Sequence, residues 1–592
     1  MSPLLARASG PLVVALSYLV MVAWTWGTWS DPLVDFGREL YVPWRLLAGD
    51  RLYLDLAYFN GPLSPHLNAL WFLIGGVSLR TLFVANLAIV ALVAWLLWQL
   101  LRPLTSALAS TVGCVVFLLV FAFNQIFWVS IFNWVAPYSH EVTHGVTLGL
   151  AALLCLMRHL RSGGRLALLA AGACAGLGFL TKPETFLATA GALVVACVLA
   201  SREGGGRTIG RRLLPLVAAG LGVIGVACAG LLLRLPPSDA LAGVLGGWRH
   251  VFNPGLSGMR YYRELLGIQD LGITLRHSWQ WSLTFAVVLL PAAALVWFVR
   301  PRSPKTTLAL AALTAGANLL LVLIATVRWS KIGQLLPVVV LVLGVVEALR
   351  AWRRPAGDGG TQRSIMRASL CTFALLLLLK MLLNVRFEHY GFALAMPAAV
   401  LGAVLLIDWL PRVLARRGGR PLPFQTAAAV VLIAATLGQL RSSQGWLAQK
   451  TELIGIGADT LRADHRGRCV QEIMTEVLKQ RAPNSTLAVL PEGSTLNFWL
   501  RMKNPTPFLN LMPPELVMFG KDRILAAYQA NPPDFVVLAH KDTEEYGPRF
   551  FGTDYLPEMT AWILANYDFV LGAGEEPFVT PPQFGMALLR RK

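Results

Sequence analysis

In the stretch HEVTH, residues 140–144, His140 and His144 stand one helical turn apart with Glu141 beside the first. Two imidazoles at i and i+4 share a helix face and can hold a divalent metal, with a nearby carboxylate as a further ligand. Asp35 and Glu39 in DFGREL repeat that spacing with two acids. A carboxylate placed there can take a proton from a hydroxyl or amine, or it can merely cap a helix and complement its dipole. In GFLTKPETF, residues 178–186, Lys182 and Glu184 flank Pro183 where two apolar runs meet. In LLLLLKMLLNVRFEHYGF, residues 375–392, Lys380 is embedded in an apolar run, and Arg386, Glu388, His389 and Tyr390 crowd its end. Arg328 and Lys331 add charge at a comparable junction. Charge at membrane depth is costly and marks binding paths more often than packing. Basic groups at the edge of an apolar layer suit a phosphate carried on a lipid. Taken singly, each cluster also reads as an interface anchor or a polar turn.

The elements that must position these residues are mostly membrane helices. Of 592 residues, 56% are hydrophobic and only 14% charged, against about a quarter charged in a soluble chain; the mean hydropathy is +0.59. Apolar runs able to span about 30 Å of hydrocarbon fall near 11–29, 81–101, 106–123, 141–157, 166–181, 185–201, 213–233, 281–299, 307–327, 334–349, 368–385, 391–409 and 424–440. They predict about thirteen spans. The first ends in WTWGTWS with no A-x-A-like site, which reads as an uncleaved membrane helix. Clusters of Arg and Lys at 158–165, 202–212, 300–305, 350–367 and 412–420 predict the cytoplasmic loops. That orientation puts the N-terminus inside and the tail after residue 440 outside. The net charge of +19 is spread over these clusters rather than pooled, which argues against nucleic acid as a partner. The seven Cys form no CxxC or metal-type spacing and read as packing.

A helix over 37–48 is predicted after the first span, ended by Gly49, with Leu40, Trp44 and Leu47 on a side suited to lipid. Residues 441–592 alternate helix-like stretches with short apolar strands in STLAVLPEG, PDFVVLAH and YDFVLGAG. That alternation predicts a small α/β domain with a largely parallel sheet. The fold class is therefore a polytopic α-helical membrane protein. Residues 1–440 form its membrane domain, and residues 441–592 form a C-terminal extracytoplasmic α/β domain.

An acidic motif just after the first span, an interfacial helix, about thirteen spans and an outer tail resemble the GT-C membrane glycosyltransferases. Nearest in pattern are the protein-mannosyltransferase and aminoarabinose-transferase relatives of glycosyltransferase family 39. DFGREL, NGPL at 60–63, PYSHE at 137–141 and TKPE at 181–184 carry the resemblance. It implies transfer of a sugar from a polyprenyl-phosphate donor to a lipid, glycan or protein acceptor at the outer face of the cytoplasmic membrane. It also implies that Asp35 is the catalytic carboxylate. Many relatives have two adjacent acids at this site, whereas here the second acid is Glu39. Lys182, Lys380 and Arg386 are the candidates for the donor phosphate, since its departure needs positive charge. Arg38, Tyr41, Tyr138, Glu184, His389 and Tyr390 are the candidate pocket residues. A divalent ion at Glu39, His140, Glu141 and His144 is the candidate cofactor. The alternative class is a transporter or flippase of lipid-linked sugars, which predicts charges lining a path through many helices and paired broken helices.

Overall fold

The computed structural model describes residues 3–202, 205–299, 303–324, 329–355, 358–417, 420–579 and 584–592. Arg300, Arg302 and Arg328 lie outside the described residues. Ten described helices are long and apolar enough to cross a bilayer, among them Leu79–Leu101, His140–Ser162, Pro183–Ser201, Gly359–Met381 and Gly391–Leu414. Three shorter apolar helices, Ser9–Thr25, Ala107–Ala122 and Arg165–Phe179, fall on the runs expected at 11–29, 106–123 and 166–181. Ten of the thirteen expected runs are thus helices long enough to span, and the other three are shorter apolar helices. The chain is a multi-pass membrane protein.

Lipid supplies no hydrophobic drive for helices to pair, so close backbone approach must do so. Arg165–Phe179 carries Gly172 and Gly176 four apart, packed on Gly205–Leu232. A Cβ at Gly172 would meet the Leu216 carbonyl oxygen at 2.2 Å, and one at Gly176 the Gly220 oxygen at 2.5 Å. Only glycine permits that contact.

The helix predicted over 37–48 is Phe36–Leu47. Gly49 follows at φ +100°, and Arg45 pairs with Asp50 at 2.9 Å behind it. The side expected to lie on lipid does not do so. Leu40 is fully buried and Trp44 half-buried, while Leu47 stays exposed. The reason is the tail, which folds down over the helix. Trp44 meets Phe498 edge-on, and the Tyr41 hydroxyl accepts the Asn504 N–H at 2.9 Å.

The tail carries a hairpin of β1 (Glu452–Ile454) and β2 (Leu461–Ala463). Its main sheet comprises β3 (Leu487–Leu490), β4 (Phe535–Ala539), β5 (Tyr567–Gly574) and β6 (Gly585–Arg591), in the order β3-β4-β6-β5. Only β3 and β4 are parallel; β6 runs antiparallel to both β4 and β5. The sheet is therefore mixed, which corrects the largely parallel one expected. The sequence pattern did not mark β6, and a strand inserted antiparallel between β4 and β5 reverses the pairing. The helix-like stretches expected between the strands include CVQEIMTEVLKQ and KDRILAAYQAN, which form Arg466–Gln480 and Lys521–Ala530.

The tail and the membrane domain share one apolar core and are tied by ion pairs and a backbone hydrogen bond. Arg466 meets Asp31 at 2.6 Å, the Leu79 N–H donates to Asp459 at 2.7 Å, and Lys503 pairs with Asp50 at 3.0 Å. At Gly37 a Cβ would meet the Thr495 backbone nitrogen at 2.3 Å. Gly37→Ala should therefore lift the tail from its seat and cost about 1–3 kcal/mol. A lowered melting temperature with faster proteolytic release of the tail checks this.

Candidate active site

Asp35 precedes Phe36–Leu47 with φ +55°, and its carboxylate makes no capping bond. The capping role open to it in the sequence is not realised. A non-glycine residue in this backbone region is uncommon, and such outliers gather at functional sites. The Asp35 N–H donates to Glu492 Oε1 at 2.8 Å, while Asp35, the one partly exposed residue between Asp31 and Pro43, lines a cavity of about 620 Å³. Burial and the Glu492 carboxylate push Asp35 up to about 7.

Lys182 and Lys380 line the same cavity. Lys182 sits just before Pro183–Ser201, where proline at the first helical position needs no hydrogen-bond acceptor. Its ammonium lies 4.6 Å from the Tyr138 ring centroid and donates to the Tyr138 hydroxyl at 3.4 Å. Burial and the neighbouring Lys380 hold it down to about 8. Lys380 donates to Glu184 at 2.8 Å and lies 4.6 Å from the Tyr390 centroid. Arg38, also on the cavity wall, donates to the Tyr138 carbonyl at 3.1 Å and stacks on Phe59. His389 is hydrogen-bonded to Tyr261 at 3.1 Å and packs on Phe132.

Asp35, Arg38, Tyr138, Lys182, Glu184, Lys380, His389 and Tyr390 thus meet around one space. Glu39, Tyr41 and Arg386 are not on its wall. Glu39 is buried one layer behind, accepting from His140 Nδ1 at 2.7 Å and from Arg38 at 3.4 Å. Tyr41 is spent on Asn504.

The four residues expected to hold a divalent ion are engaged with protein partners. Among the described residues no group of three or more His, Cys, Asp or Glu is arranged to hold an ion. The second nitrogen of His140 is bonded to Asn86 at 2.8 Å, Glu141 accepts from Tyr58 and Ser139, and His144 Nδ1 is bonded to Ser64 at 3.0 Å. Of the four side chains, only His144 Nε2 lacks a partner. Helical spacing put the imidazoles on one face, but neighbouring helices supplied each with its own hydrogen bond.

The tail supplies a further wall that the sequence analysis did not include: Glu492, Glu515, Lys541, Glu545 and Tyr546. Glu492 follows the end of β3 and Lys541 the end of β4, the two parallel strands, and the pair meets at 2.9 Å. Sites form outside the carboxyl ends of parallel strands, so the polar residues just past LAVL and FVVLA were a usable signal. Burial pushes Glu515 up to about 8. One side of the cavity is acidic and the membrane side is basic.

Residues 60–229 match the family model described as dolichyl-phosphate-mannose-protein mannosyltransferase. Over that segment the chain is similar to membrane glycosyltransferases. The match spans under a third of the chain and includes NGPL, PYSHE and TKPE, with DFGREL just outside it. Among solved structures, ArnT from Cupriavidus metallidurans bound to undecaprenyl phosphate is 14% identical, the alignment covering 98% of each chain at a TM-score of 0.49. The archaeal oligosaccharyltransferase AglB from Archaeoglobus fulgidus, in complex with an inhibitory peptide and a dolichol-phosphate, is 14% identical, covering 98% of this chain and 74% of its own at 0.47. At these scores the likeness decides nothing about chemistry. No curated protein matches in sequence.

Proposed function

We propose that the chain moves a sugar from a polyprenyl-phosphate carrier to an acceptor at the outer face of the cytoplasmic membrane, with its N-terminus inside and its tail outside. The observation that carries this reading is the division of one cavity between an uncapped Asp35 and the paired ammoniums of Lys182 and Lys380. The acceptor oxygen or nitrogen attacks the anomeric carbon. The bond from that carbon to the phosphate oxygen breaks, its electron pair leaving with the phosphate, and Asp35 takes the acceptor's proton. The carrier phosphate departs with one more negative charge, which Lys182 and Lys380 offset. A single displacement from the face opposite the phosphate inverts the anomeric centre. A proton affinity near neutrality suits a general base working at neutral pH. Arg38, Tyr138, His389 and Tyr390 form the sugar's walls, and Glu184 holds Lys380 in place. Glu39 acts from behind by fixing Arg38. Arg386 is a neighbour of this phosphate site and stands off its wall.

The test supplies purified protein with a labelled short-chain polyprenyl-phosphate sugar and lipid, glycan or peptide acceptors. Carrier phosphate should be released only as an acceptor gains one sugar in mass. The acid limb of kcat/KM should fall near pH 7. In Glu492→Gln that limb should move down by about one unit, because a like charge beside Asp35 is gone. Intact donor crossing a vesicle membrane, with no acceptor gaining mass, would favour the flippase and end this reading.

A further inference from the structure

A second cavity, of about 520 Å³, lies at the other end of the membrane helices. Two helices establish the separation. Gly359–Met381 lines this cavity at Gly360, Arg363 and Arg367 and reaches the Asp35 cavity at Lys380; the rise from Arg363 to Lys380 is about 26 Å. Gly391–Leu414 starts beside Tyr390 and ends at Arg412 and Val413 on this second wall.

Six arginines line it: Arg350, Arg354, Arg363, Arg367, Arg412 and Arg416. Glu347 on the wall takes Arg350 at 2.6 Å and Arg367 at 3.5 Å, and Asp408 behind takes Arg412 at 2.7 Å. That leaves a marked excess of positive charge. Arg367 stacks on Trp409 at 4.5 Å, and its Nε is buried without a partner. Beside the cations runs an apolar trough. Val338, Val342 and Val346 lie on one helix face and are all exposed, with Leu405 opposite. From Val338 to Val346 it extends about 12 Å, most of one leaflet's hydrocarbon depth.

Orientation signalling alone explains basic loops. It explains neither a concave site, nor a buried guanidinium nitrogen left unbonded, nor a trough leading from it into the bilayer. We infer that this cavity binds an anionic phospholipid of that leaflet. Its phosphate lies among Arg354, Arg363, Arg367 and Arg416, and one acyl chain lies along Val338, Val342 and Val346. Guanidinium forks fit phosphate oxygens, and basic pockets between membrane helices favour anionic head groups. A free phosphate would leave the trough unused.

The experiment titrates the full chain in detergent with phosphatidylglycerol, phosphatidylcholine or inorganic phosphate and reads bound mass by native mass spectrometry. Phosphatidylglycerol should be retained over phosphatidylcholine. The double variant Arg363→Gln/Arg416→Gln alters two exposed side chains and should weaken retention at least tenfold. Val342→Trp keeps every charge, fills the trough and should weaken it as well. Wild-type retention in the double variant overturns the inference. Unchanged retention in Val342→Trp also overturns it, since the lipid would then merely adhere to surface charge. Inorganic phosphate displacing the lipid at equal concentration would show that the trough contributes nothing, and overturns it too.

Discussion

Asp35→Asn should lower sugar transfer by about a hundredfold to ten-thousandfold, the usual contribution of a general base, without harming the fold. Asn matches Asp in size and shape and takes over the same backbone, φ +55° and ψ −52°, and its side chain has no capping bond to lose. Stability should move the other way. Asp35 ionises in the folded chain at about 7, above the ordinary carboxylate value. The folded state therefore holds a proton that the unfolded state has released between about pH 4 and 7, and stability falls as pH rises through that window. Removing the titration makes Asp35→Asn relatively more stable at pH 8 than at pH 5, compared with the native chain. Asp35→Ala also loses activity, and it places alanine at φ +55° and ψ −52°, a sparsely populated region where strain is about 1–3 kcal/mol. Transfer rates and melting temperatures of both variants at the two pH values decide the matter. An active Asp35→Asn enzyme removes Asp35 from the chemistry.

Legibility in the sequence followed the range of the interactions. Apolar length alone marked the helices, because a span must be long and uncharged whatever it packs against. Lys182, Glu184 and Lys380 were legible because charge next to an apolar run is anomalous locally. The carboxylate beside Asp35 was not read there, for Glu492 lies 457 residues away and only its place just past a strand pointed to it. The interfacial helix was half legible. Its length and its Gly49 stop followed from local pattern, but its covered face depended on Phe498, Asn504 and Thr495 arriving from the tail. HEVTH shows the same dependence on distant partners: its spacing is real, yet Glu39, Asn86 and Ser64, which bond its imidazoles, come from other elements. Strand β6 was missed because its apolar run is short and ends at Arg590 and Arg591, although it pairs with β4 and β5 on both sides.

The phosphate assignment makes an ordered prediction rather than a single loss. Lys182→Met removes one of two ammoniums that repel each other in a buried space, so the empty fold should be no less stable. Turnover should fall by about a hundredfold to a thousandfold, the range for deleting one donor that meets developing charge. Lys380→Met should be worse. It leaves the Glu184 carboxylate, bonded to Lys380 at 2.8 Å, facing the cavity with its closest cation gone, where it repels the donor phosphate. Adding Glu184→Gln to Lys380→Met removes that repulsion and should recover donor affinity without restoring the full rate. The expected order of turnover is native, then Lys182→Met, then the Lys380→Met/Glu184→Gln pair, then Lys380→Met alone. Arg386→Gln, off the cavity wall, should lose far less than any of these. Donor KM and kcat measured across the series test the order. If Lys182→Met and the Lys380→Met/Glu184→Gln pair both keep the native rate, the leaving phosphate is held elsewhere, and the basic half of the cavity serves some other anion.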